Sequence, residues 1–128
     1  MATRTETRQL KARSFRRSDC PVACALDVIG DKWTLLIIRD LFKGKNRYNQ
    51  FLESKEGITT NILADRLQHL ESAGLVRKSP YQERPVRYEY HLTETGKTLR
   101  TVLWSIIGWA NGQIPGTNIP ARPKQKKG

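Results

Sequence analysis

The segment from Gly57 to Lys78 restricts the fold of this chain more than any other stretch. Three leucines recur in it at the spacing of one buried helical face: Leu63, Leu67 and Leu70. The same helix turns a polar face to solvent, made by Asn61, Asp65, Gln68 and Ser72. Thr59 is the expected N-cap because its hydroxyl can accept a hydrogen bond from the first turn. Gly74 can adopt the left-handed conformation that ends a helix.

The residues around this helix predict a helix-turn-helix with a wing. A short helix, Tyr48–Ser54, precedes it across a tight turn that contains a glycine, which is the usual arrangement of that motif. Leu75–Ser79 and Arg87–Leu92 have the pattern of two short strands around the loop Pro80–Val86. A basic hairpin beside an amphipathic helix with a polar outer face is typical of a winged helix-turn-helix.

Helices are also predicted at both ends of this motif. The first is expected to begin after a cap at Ser18 or Asp19 and to end at Gly30. The second, Lys32–Phe42, is apolar nearly all round and is therefore expected at the centre of the core. The last helix is expected to begin at Thr93 and carries a broad apolar face.

The apolar face of the last helix bears on the oligomeric state. A domain this small cannot cover all of that face, so contact with a second copy is expected. The alternative is that the face only closes the core of the monomer. We therefore expect a mainly α fold with a small β-hairpin, a winged helix-turn-helix that forms a homodimer through its terminal helices.

The positive charge is concentrated at the two ends of the chain. The net charge is +11, and the first 19 residues carry six basic and two acidic side chains, whereas the last 15 carry four basic and none acidic. Such ends can engage a polyanion through salt-dependent contacts, or they are simply solvated. We expect one domain over residues 18–113, between a basic flexible arm at 1–17 and a basic flexible tail at 114–128.

Several other classes of protein are disfavoured. No apolar run approaches the roughly 18 residues of a membrane span, and the N-terminus lacks the apolar centre of a secretory signal. The cytoplasm is therefore expected, without a membrane partner. His69 and His91 stand at no recognisable spacing from a nucleophile, so no enzymatic activity is expected. Two cysteines without clustered histidines predict no metal site, and no cofactor is expected.

A series of short blocks follows along residues 18–112: Cys20–Val22, Ala25–Gly30, Lys32–Ile37, Ile58–Leu63, Arg66–Leu67, Gly74–Val76, Tyr88–Tyr90 and Leu92–Thr93. In this order the blocks resemble the HxlR-type regulators, which are small bacterial winged helix-turn-helix proteins related to the MarR group. The resemblance implies a transcriptional regulator that binds double-stranded DNA at a short inverted repeat. It also implies one reading helix per half-site and a dimer built from the terminal and N-terminal helices.

Candidate DNA contacts lie at the start of the reading helix and in the wing. Thr59, Thr60 and Asn61 lie where backbone N–H groups favour phosphates and base edges, and Gln68 can pair bidentately with adenine. The wing is expected to bind phosphate or enter the minor groove through its cations: Lys78, Arg84 and Arg87. Two cations before the first helix of the motif are candidate anchors for the DNA backbone: Lys45 and Arg47.

Two residues raise alternatives that the sequence leaves open. Asp65 stands in the middle of the outward face, where it can accept from a cytosine amino group or orient Arg66. The third alternative is that the wing and the tails do most of the reading. Cys20 occupies the position of a redox-sensing cysteine in some members of the family, and Arg16 and Arg17 nearby would favour its thiolate. The alternative for Cys20 is a buried, unreactive side chain. For the whole chain, the alternative is a winged helix used for protein interaction, with basic tails that bind RNA or an acidic partner.

Overall fold

The structure is a computed structural model that describes residues 16–120. Within this range the chain forms six helices and one hairpin: α1 Pro21–Ile29, α2 Thr34–Phe42, α3 Tyr48–Leu52, α4 Thr60–Ser72, β1 Val76–Glu83, β2 Val86–Leu92, α5 Glu94–Lys97 and α6 Leu99–Gln113. The fold is the predicted one, mainly helical with a two-stranded antiparallel sheet. Of the predicted arm at 1–17 and tail at 114–128, residues 1–15 and 121–128 lie outside the described residues. Within them, no helix has the length and apolar character to cross a bilayer.

Helix α2 lies at the centre of the core, as its apolar pattern predicts. Ile37 and Ile38 are at most 2% exposed and belong to one cluster with Phe51 of α3 and the three leucines of α4. The hairpin closes this cluster through Val76 and Tyr90. Each large side chain buried in this way stabilises the fold by roughly 1.5–3 kcal/mol. The core therefore fixes α3, α4 and the base of the hairpin relative to one another.

The start of α1 differs from the prediction of a cap at Ser18 or Asp19. Cys20 is the N-cap, and its side chain makes no capping hydrogen bond. The side chains of Ser18 and Asp19 bind partners before the helix instead. The Ser18 Oγ accepts the N–H of Cys20 at 3.2 Å, and Asp19 forms an ion pair with Arg16 at 3.2 Å. The predicted end of the helix at Gly30 is confirmed.

Helix α2 begins at Thr34, two residues later than predicted. Asp31 Oδ2 accepts the backbone N–H groups of Trp33 and Thr34, both at 3.0 Å. These bonds fold residues 32 and 33 into a turn, so the regular helix starts after them. Helix α3 ends at Leu52, two residues before the predicted Ser54.

The hairpin is longer, and its turn tighter, than predicted. The strands run to Glu83 and resume at Val86, so only Arg84 and Pro85, joined by a cis peptide bond, connect them. The predicted loop Pro80–Val86 is therefore wrong. Pro80 lies inside β1 opposite Tyr88, which is possible because each strand of a two-stranded sheet has a free edge where no N–H is needed.

The single helix predicted from Thr93 is divided in two. Thr93 does act as an N-cap, because its Oγ1 accepts the N–H of Gly96 at 3.0 Å and donates to the Gly74 carbonyl at 2.6 Å. This double contact holds the one-turn helix α5 against the start of the hairpin. The Thr98 hydroxyl donates to the Thr95 carbonyl, a side-chain bond that competes with the regular helical ladder, and α6 then begins at Leu99.

Candidate nucleic-acid interface

Helix α4 presents a polar surface whose position follows from its buried leucines. Those three leucines are at most 1% exposed. Thr59 Oγ1 accepts the N–H of Ile62 at 3.3 Å, so the predicted N-cap is confirmed. Exposed side chains then follow along the opposite face: Thr60, Asn61, Asp65, Gln68 and Ser72. The residues proposed to read DNA therefore share one exposed side of a single capped helix.

Asp65 is held by its neighbour Arg66. The Arg66 Nη2 and Nε atoms donate to Asp65 Oδ2 at 2.7 and 3.0 Å, and its Nη1 lies 3.2 Å from Asp31 Oδ1. The hydrogen bond to Asp65 raises the pKa of Arg66. Burial disfavours the charged form of Asp31, but hydrogen bonds from Thr34 and Trp33 and the nearby Arg66 outweigh it and lower the pKa of this carboxyl. The arginine therefore connects the reading face to Asp31 in the turn before α2.

The predicted wing cations are exposed along the hairpin. Lys78 Nζ lies 4.5 Å from the centroid of the Tyr88 ring, and Arg84 stands in the two-residue turn. Arg87 follows the turn and is also exposed. Arg77, which the sequence analysis did not select, is a fourth exposed cation of the hairpin. Its alternation with Lys78 places it on the other face of the sheet.

Arg47 connects the start of α3 to both strands of the wing. Its Nη2 and Nε donate to Glu89 Oε2 on β2 at 2.8 and 3.1 Å. Its Cζ lies 3.6 Å from the centroid of the Tyr81 ring on β1. The guanidinium is thus shared between an ion pair and a stacking contact. These contacts give Arg47 a supporting role for the wing, and its contact with DNA stays a prediction.

A second arginine fixes the turn of the helix-turn-helix. Arg39 on α2 donates from Nη1 and Nη2 to the two carboxylate oxygens of Glu56, each at 3.0 Å. Its Nε donates to Asp40, which is 3% exposed, at 3.0 Å. The Arg39 hydrogen bond lowers the pKa of Glu56 to about 2, and Glu56 raises the pKa of Arg39. The sequence offers no local signal for this contact because the partners are 17 residues apart.

The terminal helices carry apolar side chains on the surface. On α1, Val22 is 65% and Leu26 is 54% exposed, and on α6, Ile106 is 44% and Trp109 is 68% exposed. None of the residues of α6, all of which are described, is fully buried. Patches of this kind on a small domain are characteristic of protein contact sites.

The two cysteines lie at the start of α1. Cys20 is exposed and Cys24 is half-buried, and both are free thiols. The arginines expected near Cys20 each form an ion pair with an acidic side chain: Arg16 with Asp19 at 3.2 Å and Arg17 with Asp27 at 3.0 Å. The alternative of an unreactive Cys20 required a buried side chain, and the side chain is exposed. In residues 16–120 no cluster of histidine, cysteine or acidic side chains could hold a metal ion.

Comparisons with known proteins agree with this geometry. The family model described as HxlR-like helix-turn-helix matches residues 28–118 and so begins after Cys20. The chain is 39% identical to sll1512, an HTH-type transcriptional regulator of Synechocystis, over 84 residues. That match covers 66% of this chain and 62% of sll1512, less than two thirds of the relative.

Solved structures that are similar in both sequence and fold include those of PA1607 and HypR. The structure of PA1607 is 37% identical with a TM-score of 0.75, and the match covers 90% of this chain and 81% of that one. The structure of the redox regulator HypR in its oxidized form is 36% identical with a TM-score of 0.66. It covers 73% of this chain and 97% of HypR. Identities above one third together with these scores extend the likeness beyond the fold alone.

Proposed function

The chain belongs to the HxlR-like helix-turn-helix family of transcriptional regulators, and we propose that it represses transcription in the cytoplasm as a homodimer bound to an inverted-repeat operator. The observation that carries the proposal is the exposed polar face of α4 beside a cationic wing. A capped helix N-terminus offers N–H groups to phosphate and places the next side chains at base edges. The rigid core under α4 keeps that face in one orientation.

Within this proposal the residues divide into readers and anchors. Asn61 and Gln68 carry amides that can pair with adenine, and Asp65 accepts from cytosine or sets the position of Arg66. Thr59 and Thr60 meet the phosphate backbone at the helix start. The wing supplies non-specific affinity through its cations: Lys78, Arg84 and Arg87. Arg47 holds the wing against α3 through Glu89 and Tyr81.

The dimer is proposed to form through α1 and α6. The exposed apolar side chains of both helices support this arrangement, since a stable contact would remove them from water. Sedimentation velocity at micromolar concentration is expected to give a dimer, and Trp109→Glu is expected to give a monomer. Val86→Glu, which changes an apolar residue that is 53% exposed in the wing, is the matched control and is expected to stay dimeric. A wild-type monomer would contradict the arrangement.

A mobility-shift titration on the DNA that flanks the protein's own gene tests operator binding. We expect a shift that persists as salt is raised, because base contacts add to the phosphate contacts. Gln68→Ala is expected to lower the preference for the operator over unrelated DNA, whereas Ser72→Ala, at the far end of the same face, is the matched control. A shift of equal strength on every sequence would favour the alternative, a winged helix that contacts RNA or an acidic partner.

We also propose that Cys20 responds to oxidants. Cys20 is exposed at the start of α1, on the helix proposed to form the dimer, and the similar HypR is a redox regulator. Hydrogen peroxide would oxidise the Cys20 thiolate to a sulfenic acid and be reduced to water. A second thiol would then displace hydroxide and close a disulfide. If Cys20→Ser releases operator DNA under peroxide as the wild type does, Cys20 is not the sensor.

A further inference from the structure

A cavity of ≈630 Å³ lies beside the C-terminal end of α2. Its other walls are the turn before α3, the base of the hairpin, and the helices α5 and α6. Protein sites for small organic ligands typically measure about 300–1,000 Å³. None of the described residues that line the cavity belongs to α4, so it is separate from the face proposed to read DNA.

The wall of this cavity is cationic. Five basic side chains line it: Lys45, Arg77, His91, Lys97 and Arg100. None of the described residues in the lining is acidic. Two carboxylates lie near these side chains, with Glu94 at 3.5 Å from Lys97 and Glu89 at 3.6 Å from His91. The remaining excess of positive charge in a concave site favours a bound anion, because low-dielectric walls concentrate the field.

The backbone brings these basic side chains together before any ligand arrives. Arg77 and His91 are partners across the hairpin, so their side chains share one face of the sheet. The Asn46 carbonyl accepts the N–H of Tyr90 at 2.8 Å, which holds the turn that carries Lys45 against β2. Arg100 lies in the first turn of α6, which follows α5 directly. The cavity is therefore built into the fold.

The floor of the cavity is apolar. Leu41 and Phe42 of α2 line it. Leu92 and the buried Tyr90 also line the cavity, but they flank His91 along β2 and so lie on the other face of the sheet from Arg77. The Arg100 Cζ lies 6.0 Å from the centroid of the Phe42 ring. Inorganic phosphate or a DNA phosphodiester would use only the cations and would leave this apolar surface in contact with water. An anion with an attached ring would cover it.

We propose that this cavity binds an amphipathic organic anion, an aromatic carboxylate. The ring packs on Leu41 and Phe42 of α2, and the carboxylate accepts hydrogen bonds from Arg77 and Arg100, whose planar guanidinium groups suit it. Binding at this site does not require DNA. The ligand-binding test can therefore succeed or fail independently of the tests of DNA binding described above.

Amide chemical-shift mapping of the full chain with 2-naphthoate tests the site, with the neutral 2-naphthamide and inorganic phosphate as the other two titrants. We expect 2-naphthoate to shift the amides of Asn46, His91 and Arg100 in a saturable manner. Naphthamide and phosphate are each expected to bind with an affinity lower by a factor of about ten or more. Naphthamide provides only the ring contact, and phosphate provides only the negative charge.

Substitutions separate this site from general attraction of anions. Arg77→Gln and Arg100→Gln are each expected to lower the affinity for 2-naphthoate by a factor of about ten or more. Lys55→Gln removes an exposed cation outside the cavity and is expected to leave the binding constant unchanged. The proposal is overturned if 2-naphthoate produces no saturable shift at these amides, if naphthamide binds equally well, or if Lys55→Gln weakens binding as much as Arg100→Gln. If phosphate binds with the same affinity as 2-naphthoate, the cavity is a phosphate site, and the proposal is also overturned.

Discussion

Replacing Arg47 by glutamine distinguishes two possible roles of this residue, support of the wing and contact with the DNA backbone. In the structure the guanidinium pairs with Glu89 at 2.8 Å, with the two side chains 42% and 23% exposed, and stacks on Tyr81. A partly exposed ion pair contributes about 1 kcal/mol or less, and an exposed cation–π contact about 0.5–1 kcal/mol. Arg47→Gln is therefore expected to lower the free energy of unfolding by about 0.5–2 kcal/mol. Urea denaturation measures this loss.

The salt dependence of DNA binding then decides the role of Arg47. Each phosphate contact contributes about 0.9 to the slope of log affinity against log salt. If Arg47 supports the wing, Arg47→Gln weakens binding but leaves the slope unchanged. Arg87→Gln, the matched wing control, is expected to lower the slope by about 0.9 per protomer. A fall of that size in Arg47→Gln, without a loss of stability, would refute the supporting role.

Three further substitutions test other parts of the structure. Gly96→Ala would place a Cβ 2.1 Å from the Leu75 carbonyl oxygen and is expected to lower the free energy of unfolding by about 1–3 kcal/mol in urea. Gly108→Ala, whose Cβ would meet nothing within 4 Å, is its control and is expected to be neutral or stabilising; equal losses would contradict the packing. Glu56 has a pKa of about 2 when folded, so its pairing with Arg39 stabilises the fold above its unfolded pKa, and this stability is lost as the pH falls towards 2. Glu56→Gln is therefore expected to be less stable than the wild type at pH 7, with a difference that shrinks between about pH 5 and pH 2; a difference independent of pH would contradict this. Asp65→Ala is expected to change which bases are selected from a random-sequence library more than the overall affinity, and an equal loss on all sequences would contradict that role.

Local patterns in the sequence predict most of the elements of this fold. The leucine spacing predicts the buried face of α4, and Thr59 and Gly74 mark its two ends because capping depends on neighbouring residues. The hairpin turn was predicted incorrectly because Pro80 usually interrupts a strand. A strand tolerates proline where one of its edges is unpaired. The number of strands in the sheet decides this, and the sequence of the segment does not show it.

Contacts between distant residues could not be predicted in this way. Arg47 and Glu89 are 42 residues apart, and only the packing of the wing on α3 brings them together. The basic cavity combines cations from the turn before α3, the hairpin, α5 and α6, and each of them alone looks like an ordinary solvated charge. The exposed face of α4 was predictable because a single helical period fixes it.

The most direct test of operator recognition is a hydroxyl-radical footprint on DNA selected by the protein from a random-sequence library. Our account predicts a selected inverted repeat with two protected patches on one face of the duplex, their centres about one helical turn apart, or roughly 34 Å. Each patch would correspond to one α4, and Gln68→Ala would lose protection in both. Selection that enriches no sequence, or one asymmetric patch that Gln68→Ala leaves intact, would contradict the account.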